Sequence, residues 1–303
     1  MAQDRGWRNW FWVPLGCGTF LVLVVIAFAI LMYALRGGRR EEFSGFGSKI
    51  GVVELQGVIL SPEETVRQLK TFADDESVKA IILHINSPGG GAAASEEIYR
   101  QVRRIRDEKK KRMVASIESV GASGAYYAAS ATNKIFANNA SVVGSIGVIA
   151  EWYNYGDLLR WAKLKEVVIK AGEFKDIGDP AREMTPAERQ LLQQMIDNMH
   201  AQFIAAVADG RGMKVDDIRP IADGRVWTGQ QALEKKLIDQ IGDFRACVED
   251  TARAAGIQGE PNLVRARKRT RSVLDVLIGD ASDLIPDRAK LMEKQPGFYF
   301  LWK

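Results

Sequence analysis

The chain has 303 residues, with 42 lysines and arginines against 38 aspartates and glutamates, and a hydrophobic content of 47%. This composition excludes a generally disordered chain, and the length suits one large soluble domain or two smaller ones. The net charge of +4 is modest, and the two dense basic runs, residues 106–112 and 265–271, contain no aromatic residue for base stacking, which argues against nucleic-acid binding.

The first predicted element is a transmembrane helix at residues 11–35. This run, FWVPLGCGTFLVLVVIAFAILMYAL, carries no charge. As a helix it would rise about 37 Å, which is enough to cross a hydrocarbon core of about 30 Å. We expect an uncleaved signal-anchor that follows a short N-terminal segment, residues 1–10, and precedes a Gly-rich, charged linker at residues 36–48.

The chain beyond the linker alternates strand and helix patterns. Runs of β-branched residues predict strands, and apolar residues at helical spacing predict helices. Strands are predicted at residues 49–59, 78–87, 113–119 and 164–170, and a helix is predicted at residues 92–110. A long helix is predicted to follow Thr185, because Pro186 and Glu188 complete a capping box with proline in the first turn. These alternating units indicate an α/β domain at residues 49–257, followed by a C-terminal extension at residues 258–303.

A glycine-rich segment, INSPGGGAAASEE at residues 85–97, leads from a predicted strand into a predicted helix. Glycines allow close backbone approach, so such a loop can direct main-chain N–H groups at a developing oxyanion. A tight turn without a catalytic role would account for the same sequence. No lysine or glycine spacing typical of nucleotide-binding loops follows, which disfavours a nucleotide site.

Ser123 lies between a β-prone run and a helix-prone run in ESVGASGAYYAASATNK, residues 118–134. A strand-to-helix turn of this kind can present a nucleophile, although a small residue that allows close packing fits the same place. Its base is not obvious, because the chain has only two histidines. His84 falls in a predicted strand and suits a core position, and His200 suits a helix face.

A lysine is the other candidate base. Lysine accepts a proton only in its neutral form, which burial favours. Lys175 lies in KAGEFKDIGDP, residues 170–180, among small and apolar residues, but nearby acidic residues favour its charged form. Its rivals are Lys134, Lys165 and Lys170, and the residues by themselves do not decide among the four.

Five motifs occur in order: INSPGG, SVGASGAYYAAS, GSIGV, FKDIGDPAREMTPAE and ADGRVWTGQQALEKKLID. Together they resemble the signal peptide peptidase A family, membrane-anchored serine proteases of the Clp/crotonase superfamily. The resemblance spans about residues 48–250 in a single copy, as in the short, single-domain form. It implies a Clp/crotonase-like α/β fold of repeated β-β-α units. It also implies that Ser123 is the nucleophile and Lys175 its general base, with the N–H groups of Gly90 and Gly124 as the oxyanion hole.

The resemblance implies further properties. No metal or cofactor is needed, and neither Cys17 nor Cys247 has the spacing of a metal site. The expected substrates are signal peptides left in the membrane after their release from preproteins. The expected assembly is a homo-oligomeric ring in which neighbouring subunits complete the dyad. The expected location is the bacterial inner membrane, with one span and the catalytic domain facing the periplasm or exterior, although the positive charges flanking residues 11–35 slightly oppose this orientation.

Three alternatives remain open at the level of sequence. An NfeD-type, stomatin-cleaving protease would share the serine-lysine chemistry and differ in substrate. A catalytically idle membrane scaffold would use the same fold to bind peptides. A crotonase-like acyl-CoA enzyme would use carboxylates such as Glu96 and Glu97, although acidic residues suit a helix N-terminus in any case. The sequence assigns no role to the aromatic run GFYFLW, residues 297–302.

Overall fold

The computed structural model describes residues 48–266 and 297–302. Its strands are β1 (Lys49–Gln56), β2 (Val78–Ser87), β3 (Gly89–Gly91), β4 (Arg112–Ala122), β5 (Lys134–Ala137), β6 (Val142–Gly144), β7 (Ile149–Glu151), β8 (Val226–Thr228), β9 (Gln240–Ile241), β10 (Asn262–Arg265) and β11 (Gly297–Leu301). Its helices are α1 (Glu63–Asp74), α2 (Ala92–Asp107), α3 (Gly124–Ser130), α4 (Gly156–Trp161), α5 (Pro186–Arg211), α6 (Val215–Ile218), α7 (Gly229–Glu234) and α8 (Phe244–Ala254), with a 3₁₀ turn at Arg219–Ile221.

The predicted membrane anchor cannot be followed in this structure. Residues 11–35, the segment before them and nearly all of the linker at residues 36–48 lie outside the described residues. Within the two described ranges, no helix combines the length and the apolar character that crossing a membrane requires.

The main sheet has eight strands, and its central path runs in the order β10, β1, β2, β4, β5, β9. All of these neighbours pair in parallel. The strand β6 also pairs in parallel with β4, and only β8, which pairs with β6, is antiparallel. This parallel-rich α/β architecture is the predicted fold class and fits the Clp/crotonase-like fold.

The central strands are buried on both faces, as parallel strands covered by helices require. Side chains alternate along β2, so that Ile81 and Leu83 join the larger hydrophobic cluster on one face. Ile82 points to the opposite face and packs with Phe136 and Cys247 under helix α8. The predicted strands at residues 49–59, 78–87 and 113–119 are therefore confirmed as β1, β2 and β4.

The predicted helix at residues 92–110 is confirmed as α2, and the long helix after Thr185 is confirmed as α5. The Thr185 hydroxyl accepts a hydrogen bond from the Glu188 N–H, and the Glu188 carboxylate accepts one from the Thr185 N–H. The predicted strand at residues 164–170 is wrong, because this segment has no regular secondary structure. Among the residues that the structure describes, no strand pairs with this segment, and its β-branched residues are exposed, Ile169 to 96%.

A second, three-stranded sheet lies in the order β3, β11, β7. Both of its pairings are antiparallel. Its middle strand β11 comes from the aromatic run near the C-terminus, and it lies between the glycine-rich loop and residues 149–151.

Candidate active site

Ser123 occupies the turn where strand β4 passes into helix α3. Its backbone has φ 52° and ψ −119°, a conformation that costs a non-glycine residue about 1–3 kcal/mol. The Ser123 N–H donates to the Gly144 carbonyl at 2.7 Å, and the Ser123 carbonyl accepts from the Tyr127 N–H at 2.8 Å. Hydrogen bonds on both sides therefore hold the strained turn. The predicted strand-to-helix turn at Ser123 is confirmed.

The glycine-rich loop forms strand β3 beside this turn. The Gly91 N–H donates to the Ile59 carbonyl and the Ile59 N–H donates to the Gly89 carbonyl, both at 2.8 Å. Since polar groups alternate in direction along a strand, the N–H of Gly90 points away from Ile59. A Cβ on Gly90 would lie 2.2 Å from the Ile59 oxygen, and one on Gly89 would lie 2.7 Å from the Gly124 nitrogen. Only glycines allow the loop to reach the serine turn this closely.

Ser95, which the sequence analysis did not single out, connects the two loops. Its side chain is buried, and its hydroxyl donates to the Gly91 carbonyl at 2.9 Å. A Cβ on Gly124 would lie only 2.2 Å from the same hydroxyl oxygen. The sequence shows only that a small residue lies one turn into α2. The contact of this residue with Gly124 depends on the tertiary fold and could not be predicted from the sequence.

Lys175 differs from these residues in its exposure and its contacts. It is exposed in the loop after residue 170, whereas Ser123 is 1% exposed. The Lys175 N–H donates to the Gly172 carbonyl at 3.3 Å, but no side-chain hydrogen bond or ion pair within the described part of the chain involves the Lys175 Nζ. The described part of the chain thus brings together Ser123, Gly124 and Gly90, and it contains no hydrogen bond between these residues and Lys175.

An ionic network anchors the loop that carries Lys175. Asp176 pairs with Lys170 and with Arg182, whose guanidinium Nη1 donates to the Glu188 carboxylate at 2.9 Å. The Arg182 guanidinium lowers the pKa of Glu188 to about 2, with help from the Thr185 N–H. Lys170 and, next, Arg182 lower the pKa of Asp176. The loop is therefore fixed to the N-terminus of α5 by charge.

The rival lysines have other surroundings. The Nζ of Lys134, at the start of β5, lies 3.0 Å from Asp250. Lys170 belongs to the network beside Lys175, and Lys165 is exposed.

Both histidines have structural partners. His84 lies 3.0 Å from Glu54 through Nδ1 and packs on the ring of Phe244. His200 is on α5, with its Nε2 3.2 Å from the Ile146 carbonyl. In the described ranges, no cluster of three or more histidine, cysteine, aspartate or glutamate side chains could hold a metal ion.

A serine at a strained strand-to-helix turn, set against a glycine loop at the C-terminal ends of the central strands of a parallel-rich sheet, is the architecture of a Clp-type serine peptidase. Comparison with known proteins agrees. The sequence profile of peptidase family S49 matches residues 105–258, and that of Clp protease matches residues 60–144. The chain belongs to peptidase family S49, the signal peptide peptidase A family, and is a serine protease of that family.

Individual relatives give the same assignment. A Synechocystis protein named as a protease is 37% identical over 211 residues, which cover 69% of this chain and 75% of the relative. An Enterococcus faecium protein named as signal peptide peptidase SppA is 30% identical, over 78% of this chain and 77% of the relative. The chloroplastic serine protease SPPA of Arabidopsis thaliana is also 30% identical, over 83% of this chain and 38% of the longer relative.

If the Gly124 N–H is an oxyanion donor, as the family resemblance implies, Gly124→Ala should lower kcat on a peptide substrate about 100-fold or more. The added Cβ would clash with the Ser95 hydroxyl and push the Gly124 N–H out of place. Ser95→Ala is the matched partner, because it removes the clashing oxygen. The double variant should recover part of the lost rate. A folded Gly124→Ala variant with the wild-type kcat would contradict the assignment.

We expect acid to loosen the Lys175 loop through Glu188. The pKa of Glu188 is lower in the folded chain than its ordinary value of 4.5, so its stabilisation is present above that pH and is lost as pH falls toward about 2. Glu188→Gln should therefore flatten the fall in melting temperature between pH 5 and pH 2. Arg182→Gln should flatten it as well, since the guanidinium is the main cause. An unchanged slope in both variants would refute this account.

Proposed function

We propose that this chain is a membrane-anchored serine endopeptidase that uses a Ser123–Lys175 dyad to degrade remnant signal peptides. The observation that carries the proposal is the strained turn that sets Ser123 and the Gly124 N–H against the Gly89–Gly91 loop. The Enterococcus faecium relative, named as a signal peptide peptidase, supports the substrate class. A membrane anchor at residues 11–35 would keep the enzyme next to hydrophobic peptides in the bilayer.

The chemistry follows from the roles of the groups. The Ser123 hydroxyl attacks the peptide carbonyl, and the N–H groups of Gly90 and Gly124 stabilise the resulting oxyanion. Lys175 accepts the hydroxyl proton and returns it to the leaving amine. Water then hydrolyses the acyl-enzyme, with the proton again passing through Lys175. The reaction as proposed uses no metal or cofactor.

We place Lys175 and the serine of a site on neighbouring subunits of a homo-oligomeric ring. The segment that leads to Lys175 exposes many large apolar side chains, as a subunit interface does before assembly. They are Tyr153, Tyr155, Leu158, Trp161, Leu164, Val167, Val168, Ile169 and Phe174. Covering this surface with a neighbour would exclude water around Lys175 and favour its neutral form, which a general base needs.

We expect Ser123→Ala and Lys175→Ala each to abolish peptide cleavage, because one removes the nucleophile and the other the base. If the site is shared, unfolding the two inactive variants together and refolding them into mixed rings should restore partial activity. Some interfaces would then combine an intact serine from one chain with an intact lysine from the other. Rings refolded from one variant are the control. Mixed rings that stay inactive would contradict a shared site, and full turnover by Ser123→Ala would contradict the nucleophile.

We expect the catalytic domain to face the periplasm or the cell exterior, on the side to which secreted proteins are translocated. A protease added to intact cells, or to spheroplasts where an outer membrane is present, should digest the domain. A cytoplasmic marker protein is the control for cell integrity. Protection of the domain in intact spheroplasts, with digestion only after lysis, would show the opposite orientation.

A further inference from the structure

The motif ADGRVWTG, residues 222–229, lies outside the site formed by Ser123 and the glycine loop. It contains strand β8, which pairs with the strand that holds the Ser123 turn. We infer that Trp227 of this motif is a positioning residue for Ser123, because its ring packs against Gly144 and fixes the carbonyl that accepts the Ser123 N–H. This inference rests on the proposed function, since it gives Trp227 a part in presenting the nucleophile.

Strand β6 connects the motif to Ser123. It pairs in parallel with the end of β4, with Val143 beside Gly121 and Gly144 beside Ala122. The Ser123 N–H continues this ladder by donating to the Gly144 carbonyl at 2.7 Å. The glycine loop follows β2, which lies along the other edge of β4. The Gly144 carbonyl therefore holds the Ser123 backbone from the side opposite the glycine loop.

Gly144 needs a restraint from outside to keep its carbonyl in one direction. Its φ of 98° lies in a region that glycine enters easily, and a glycine backbone has more rotational freedom than that of other residues. Strand β8 supplies part of the restraint, because it sets Val226 opposite Gly144 and the Arg225 carbonyl accepts the Ser145 N–H at 2.9 Å. These main-chain contacts align the strands. They do not fill the space beside the Gly144 Cα where another residue would have its side chain.

The Trp227 ring fills that space. A Cβ built on Gly144 would lie 2.9 Å from the Trp227 Cδ1, so the ring is in direct contact with the glycine. The ring is partly buried against the larger hydrophobic cluster. Two cations also lie over it, the Lys235 Nζ at 4.2 Å and the Arg225 Cζ at 5.5 Å from the ring centroid, which is a favourable arrangement for indole. The ring is therefore held firmly against Gly144.

The shape of the ring, and not its polar group, performs this role. The Trp227 Nε1 is buried and has no hydrogen-bond partner among the residues that the structure describes. A buried donor without a partner costs free energy, so it does not explain why the ring lies there. Phenylalanine at this position would keep a ring against Gly144. Alanine would leave a gap, and the Gly144 peptide group could then turn away from the Ser123 N–H.

The first test measures peptide cleavage by full-length wild type and by full-length variants at residue 227. We expect Trp227→Ala to lower kcat about 100-fold, because a displacement of about 1 Å at a reacting group has this effect. Its KM should stay within about twofold of wild type, since the change displaces the nucleophile rather than a substrate contact. Trp227→Phe should keep kcat within about threefold of wild type, because the ring still supports Gly144.

Phe244→Ala is the matched control for lost stability. It also removes a partly buried aromatic ring, but from the cluster on the other face of the main sheet. We expect it to lower the melting temperature about as much as Trp227→Ala does and to leave kcat close to that of wild type. If Trp227→Ala does not fold, Trp227→Leu, which leaves a smaller gap, takes its place.

The second test measures hydrogen exchange at the Ser123 amide, which does not require an active enzyme. The bond to the Gly144 carbonyl should protect this amide in wild type, in Trp227→Phe and in Phe244→Ala. In Trp227→Ala it should exchange at least about tenfold faster, because the bond opens more often.

The outcomes separate this inference from the proposed function. If wild type cleaves peptides, a wild-type kcat or an unchanged Ser123 exchange rate in Trp227→Ala would overturn the inference. A Trp227→Phe variant as impaired as Trp227→Ala, or an equal loss of kcat in Phe244→Ala, would also overturn it. If wild type cleaves no peptide while the Ser123 amide exchanges faster only in Trp227→Ala, the proposed function fails and the role of Trp227 in holding the turn stands.

Discussion

The backbone turn at Ser123 is the constraint on which the arrangement of the site depends. A serine at positive φ is not stable there by itself, and two main-chain hydrogen bonds, to Gly144 and from Tyr127, hold it in place. The turn directs strand β4 into helix α3, so that the Gly124 N–H lies at the first position of a helix N-terminus beside the serine. The positions of the Ser123 side chain and of the Gly124 N–H, the proposed nucleophile and oxyanion donor, thus follow from one strained residue.

The glycine loop packs directly against the turn at Ser123. Its glycines lie so close to Ile59 and to Gly124 that a methyl group on either Gly89 or Gly90 would overlap backbone atoms. The bonds to Ile59 use the backbone groups of Gly89 and Gly91, so the backbone of Gly90 remains available to another strand. Strand β11 pairs with it. The proposed oxyanion donor Gly90 and the edge that pairs with the extended strand β11 therefore belong to one short segment.

Much of the central fold could be predicted from local patterns. Runs of β-branched residues predicted β1, β2 and β4 because these strands are buried on both faces, and the capping box predicted the start of α5. The same rule failed at residues 164–170, where the β-branched residues are exposed and none of the described strands pairs with them. The position of Ser123 was predictable, because a small residue between a strand and a helix is a local signal. The contact of Ser95 with Gly124 and the pairing of β11 with β3 were not, since each joins distant parts of the chain. The aromatic run GFYFLW is visible in the sequence, but its position in the small sheet is not. The assignment of Lys175 as general base came only from the family resemblance.

The central claim is that Ser123 is an activated nucleophile, and a fluorophosphonate probe tests it most directly. Full-length wild type and full-length Ser123→Ala are incubated with the probe and mapped by peptide mass spectrometry. We expect a single labelled serine, Ser123, in wild type and no label in Ser123→Ala. A wild-type preparation that cleaves peptides but carries the label on another residue, or carries no label, would contradict the claim.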